Sequence, residues 1–306
     1  MNLSVKIGSS LFPSPVTVAS GTFGRQMLAL TPELVSVLGA VVPKTVTLDP
    51  REGNPPPRIV ETPAGMLNAI GIENPGVEVF IERYVPEWRR SGVPLIVSVL
   101  GHTDEEFEAL AERLNDVEGV DALELNLSCP NLGRQRLAAQ DPAAAKRIVH
   151  KVRRIFRRTL LAKLSPNVTD ISEIAVAVEQ GGADGVSMVN TFAAMAIDVH
   201  RRRPKLGNVI GGLSGPAIRP IALRMVHQAA ARVKIPIVAM GGIMTAEDAL
   251  EFLIAGASMV AVGTAQFIHP EAVLTIYEGI RAYMRQHDLN DIAQLTGSLR
   301  EKGAGR

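Results

Sequence analysis

Residues 124–131 read ELNLSCPN and contain Cys129, the only cysteine among 306 residues. A thiolate serves as a base or nucleophile near neutral pH when neighbouring charge lowers its pKa. A lone cysteine is more often a small buried hydrophobe. This one closes an apolar alternating run and has Asn126 and Asn131 close by in sequence, which points to a reactive atom instead. Other residues able to do chemistry end similar runs: Ser20 with Gly21, Lys44 with Thr45, Ser98, Lys163, Asn190 with Thr191, Gly241 with Gly242, and Gly263 with Thr264. Lys44 in VVPKTVT and Lys163 in LLAKLSP sit among apolar neighbours, where an ammonium needs an anion or a polarised oxygen to offset burial. Either glycine pair alone could serve a tight turn. On adjacent runs that feed helices, their backbone amides are better read as a nest for the phosphate of a cofactor or substrate.

The elements that must position these residues are legible as eight short apolar runs, at 15–20, 40–47, 94–101, 122–129, 160–166, 184–191, 235–242 and 257–264. Between most of them lie amphipathic segments of helical length. One is DEEFEALAERLND, with Phe107, Leu110 and Leu114 on one side, and another is TAEDALEFLIAGA, opening on Thr245 as N-cap. Near-continuous apolar strands alternating with helices imply parallel pairing through right-handed crossovers. Eight such units predict an α/β fold, a (β/α)8 TIM barrel in a single domain over 1–306. LSVKIGSSLF (3–12) predicts an N-terminal β-hairpin at the barrel bottom. Long loops are expected after the second, fourth and sixth strands. Those at 48–75 and 192–216 are Pro- and Gly-rich, without evident elements of their own, and leave from the rim where active sites of this fold collect.

Composition narrows the function classes. With 32 basic against 31 acidic side chains and a formal charge of +1, no global field draws the chain to nucleic acid or a membrane. The basic segment KRIVHKVRRIFRR (146–158) carries an apolar stripe and reads as the solvated face of a barrel helix; HRRRPK (200–205) reads as a solvated loop. One cysteine excludes an internal disulfide or a thiolate cluster, and the six histidines have no ligand spacing, so no metal site is expected. With no leader and no spanning apolar run, a cytoplasmic protein acting on a small molecule is expected.

Several long motifs carry a resemblance across essentially the whole chain. KTVTLDPREGNPPPRIVETPAGMLNAIGIENPG, ELNLSCPN, KLSPNVTDI, GADGVSMVNT and GGLSGPAIRPIAL resemble the catalytic subunit of class 1B dihydroorotate dehydrogenases. That resemblance implies oxidation of (S)-dihydroorotate to orotate at FMN in pyrimidine biosynthesis. By matching of positions, Cys129 would be the base that removes the C5 proton while hydride leaves C6. Lys44, Asn68, Ala69, Ile70, Gly71, Ile72, Asn126, Asn190 and Thr191 would bind the substrate. Ser20, Lys44, Thr45, Ser98, Asn126, Lys163, Val189, Gly215, Gly241, Gly242, Gly263 and Thr264 would contact FMN.

Two positions depart from the family's pattern. Ser98 stands where an asparagine commonly reaches the flavin, and the loop NLGRQRLAAQDP lacks a glycine pair often found there. The resemblance further implies a homodimer and a partner subunit carrying FAD and a 2Fe-2S cluster, two of each chain in a heterotetramer, with electrons passed on to NAD. A dihydropyrimidine dehydrogenase-type subunit shares the cysteine motif and is the alternative; the stretch from Asn68 to Asn74 and Lys44 favour the orotate enzymes.

Overall fold

Strands that are apolar on both faces have to be covered on both faces, and the computed structural model meets that demand with one curled parallel sheet inside a ring of helices. It describes residues 1–24, 27, 32–128 and 138–300. Seven strands form the sheet: β1 (Val16–Val18), β2 (Ile96–Val99), β3 (Ala122–Asn126), β4 (Thr159–Lys163), β5 (Gly185–Met188), β6 (Ile237–Met240) and β7 (Met259–Val262). Their order is β1-β7-β6-β5-β4-β3-β2, all pairs parallel. The eighth run, 40–47, occupies the gap between β1 and β2. It touches β2 through isolated parallel bridges, Val41 to Leu95 and Val46 to Val99, and meets β1 where Gly39 N–H donates to Val16 O at 2.8 Å. A regular ladder was expected there, but Pro43 has no N–H to donate, so pairing is confined to either side of it. The closed arrangement is the TIM-barrel-like fold that the alternation predicts.

The helices start where the sequence marks them. Thr245 forms a capping box with Asp248 at the head of Ala246–Ala255, and Thr103 accepts from Glu106 N–H at the head of Asp104–Asn115. The basic segment becomes helix Pro142–Ile155, which buries Ile148, Val149 and Val152. Its outer charges meet acidic residues of the neighbouring helix: Arg147 Nε lies 2.7 Å from Asp104, and Lys151 3.1 Å from Glu108.

At the barrel bottom, Val5–Ile7 and Ser10–Phe12 pair as the expected hairpin, turning on Gly8 at φ 56°. Ser10 N–H donates to Thr159 Oγ1 at 3.1 Å at the start of β4, and Ile7 and Phe12 are fully buried.

The two long insertions, expected without elements of their own, instead build one four-stranded antiparallel sheet over the rim. Ile59–Thr62 pairs with Gly65–Asn68, which pairs with Gly211–Ser214, which pairs with Phe192–Ala194. Leu67, Ala69 and Leu206 form a small core of their own beneath it. Of the loop expected after the fourth strand, residues 129–137 lie outside the described residues.

Candidate active site

The strand ends and the cap sheet enclose a cavity of about 400 Å³. Of the residues singled out from sequence, Ser20, Lys44, Thr45, Asn68, Ile70, Asn126, Lys163, Val189, Asn190, Thr191, Gly241, Gly242, Gly263 and Thr264 line it. Cys129 and Asn131 lie outside the described residues. Five others stand back from the wall. Ser98 is fully buried behind Thr45, hydroxyl to hydroxyl at 3.0 Å. Ala69 belongs to the cap's small core. Gly71 and Ile72 turn against the 51–54 segment, where a Cβ on Gly71 would come within 2.5 Å of Asn54 N. Gly215, at φ 97°, packs on Gly65, whose Cα a Cβ would approach to 2.6 Å.

One wall is a chain of hydroxyls. Ser20 Oγ donates to Pro43 O at 2.8 Å and lies 3.2 Å from Thr45 Oγ1, which continues to Ser98. These groups are fixed by the first two runs and β2, and can serve as donor or acceptor. Opposite them the amides are oriented by neighbours. Asn190 Nδ2 donates to Ser128 Oγ at 3.0 Å and lies 3.4 Å from Asn126 Oδ1, while Thr191 N–H donates to Asn190 Oδ1 at 2.8 Å. An ordered amide pair suits a ring edge that alternates carbonyl and N–H.

Two cations enter this cavity. Lys44 passes over Gly21, where a Cβ would come within 2.9 Å of its Cδ. Among the described residues no carboxylate pairs with Lys44. Burial, reinforced by the nearby Lys163 charge, brings its pKa down from 10.5 to about 8. Lys163 is buried and lies 3.8 Å from the carboxylate of Glu124.

At the far end Gly241 and Gly242 adopt φ 128° and 78°. A Cβ on Gly242 would meet Gly215 O at 2.8 Å and Arg219 N at 2.9 Å, so only glycine lets these backbones converge. Thr264 Oγ1 donates to Ser214 Oγ at 2.8 Å, tying the end of β7 to the cap sheet.

Several lining residues were not anticipated: Ile59, Met66 and Ser214 from the cap, and Ile218, Met240, Ile243 and Phe267 from the barrel. Met240 lies within a recognised run, just before its glycine pair, and could have been inferred. The cap residues could not, because their place depends on pairing between distant insertions. Among the described residues no group of His, Cys, Asp and Glu is arranged to hold a metal ion.

A sequence model described as dihydroorotate dehydrogenase matches residues 2–284. A protein of Thermoanaerobacter pseudethanolicus is 48% identical over 301 residues, covering 98% of this chain and 99% of its own. One of Desulforamulus reducens is 49% identical over 299 residues, covering 97% and 98%. Another, of Desulforudis audaxviator, is 49% identical over 304 residues, covering 98% of each. All three are named dihydroorotate dehydrogenase B (NAD(+)), catalytic subunit.

Proposed function

The chain belongs to the dihydroorotate dehydrogenase family, and from that membership we propose that it oxidises (S)-dihydroorotate to orotate in pyrimidine biosynthesis, as an FMN-dependent class 1B catalytic subunit. The observation that carries this reading is Lys44, a half-buried cation without a carboxylate partner among the described residues, facing a cavity that also holds ordered amides. A small planar acid supplies what that arrangement lacks: a carboxylate for Lys44 and a ring edge for Asn126 and Asn190. Asn68 and Ile70 close the substrate end, with Ala69, Gly71 and Ile72 shaping the segment that carries them.

The cavity also fits FMN. Ser20, Thr45 and Lys163 offer donors to a flavin ring, with Ser98 acting through Thr45. Val189 supplies an apolar contact, and the converging backbones at Gly215, Gly241, Gly242, Gly263 and Thr264 suit a phosphate. Bound there, FMN would supply the acceptor for the hydride on C6. Cys129, as thiolate, takes the proton from C5; the electron pair of that C–H bond becomes the C5–C6 double bond of orotate. Lys44 holds the carboxylate, and the asparagine amides orient the ring so that both hydrogens face their acceptors.

The curated relatives are called catalytic subunits. On that basis we assign electron delivery to a partner subunit carrying FAD and a 2Fe-2S cluster, in a heterotetramer built on a homodimer of this chain, with NAD as final acceptor. We read residues 1–306 as one domain and the protein as cytoplasmic; no helix among the described residues is long and apolar enough to cross a membrane.

The test is anaerobic addition of dihydroorotate to the purified chain loaded with FMN. Loss of the yellow absorbance is expected with dihydroorotate and not with dihydrouracil. Bleaching by dihydrouracil alone would assign the dihydropyrimidine activity instead, and bleaching by neither would defeat the proposal.

A further inference from the structure

Glu124 lies on the same face of β3 as Asn126, two residues deeper in the barrel, and its side chain is 4% exposed. It does not line the cavity. Its carboxylate stands 3.8 Å from Lys163 Nζ, close enough to share charge and too far for a hydrogen bond. Glu124 Oε1 and, on the next strand but one, Ser187 Oγ are buried without a hydrogen-bond partner. The register sets Lys163 beside Asn126 on one side and Ser187 on the other, at the cavity floor. Among the described residues Glu124 is the only carboxylate paired with Lys163.

A buried ion pair adds little to stability compared with apolar side chains of the same size, because both charges must be stripped of water. This pair therefore asks for a reason other than folding. Its geometry supplies one: the carboxylate partly offsets the charge of Lys163 from below without taking its N–H groups, which stay available to the cavity.

We propose that Glu124 is a positioning residue, which holds Lys163 under the cofactor site and offsets part of its charge, leaving Lys44 as the cation open to an anionic ligand. The inference rests on the FMN reading above. Reduction adds negative charge to a flavin, so an uncompensated Lys163 would favour the reduced form.

The experiment compares FMN-loaded wild type with Glu124→Gln and reads the flavin midpoint potential by dye equilibration, without turnover. Glu124→Gln is expected to raise the preference for reduced over oxidised FMN by about tenfold, the size of an uncancelled charge several ångströms away at intermediate dielectric. In a Lys163→Met background the same substitution should change little, because a buried carboxyl group left without its cation takes up a proton and has no charge to remove. An unchanged potential in Glu124→Gln, or an equal shift in both backgrounds, would overturn the proposal. If Glu124→Gln alone does not fold, the double variant against wild type decides: removing a pair whose charges offset should leave the potential nearly unchanged, and about a tenfold fall in the preference for reduced FMN, the sign of a Lys163 charge that was not offset, would overturn the proposal. A wild type that binds no FMN would defeat the functional reading itself. A wild type that works beside an indifferent Glu124→Gln would defeat only this one.

Discussion

Lys44 concentrates the physics of the site in one side chain. The pocket disfavours its ammonium, chiefly through burial and then through Lys163. The sign follows from proton linkage. Between pH about 8 and 10.5 the unfolded chain holds the proton that the folded chain has released, so this group's penalty is complete below about 8 and relieved as pH rises. Anion binding runs the other way. Orotate affinity, followed by the flavin's spectral change, should weaken as pH rises through about 8, and Lys44→Met should abolish that dependence while weakening binding at neutral pH. At Cys129, alanine should leave FMN binding intact and slow flavin reduction by dihydroorotate by roughly 10²-fold or more in stopped flow, the usual range for a lost general base. A rate within twofold of wild type would remove Cys129 from the role.

Elements deliver these residues through local rules that single substitutions can break. Gly242 has a positive φ and no room for a Cβ, so Gly242→Ala carries both backbone strain and a clash with Gly215 O. It is expected to cost about 1–3 kcal/mol in denaturant unfolding and to weaken FMN retention, measured by the flavin content after gel filtration. Thr245 tests a different joint. Its hydroxyl accepts from Asp248 N–H, and Asp248 accepts from the N–H groups of Met244 and Thr245. Thr245→Ala should lower stability by about 1 kcal/mol, with FMN binding unaffected, since the cap lies outside the cavity.

At the scale of the whole molecule, the cap sheet joins insertions far apart in the chain to the barrel rim. Asn68 Nδ2 donates to Gly212 O at 3.3 Å across 144 residues, and Leu67 pairs with Leu213. Gly212 also backs onto the site: a Cβ there would fall 2.0 Å from Thr191 Oγ1. Gly212→Val should push the cap strand off Thr191, loosening orotate binding more than FMN binding. Equilibrium titrations with each ligand would check that difference, and equal losses would mean that the cap does not act on the substrate end in particular.

The sequence by itself determined the alternation of apolar runs and amphipathic helices, the hairpin below the barrel, the helix caps, and the polar residues at strand ends. Each of those follows from neighbours a few positions apart: periodicity, a capping hydroxyl, a glycine in a turn. Only the tertiary structure decided that two Pro- and Gly-rich insertions would pair into one sheet, that the run around Pro43 would bridge and not ladder, and that Ser98 would stand behind Thr45. The same holds for Glu124, which in sequence is one charged residue in an apolar strand. Its meaning comes from Lys163 on the adjacent strand, since pairing and the burial of charge depend on groups that only the closed barrel brings together.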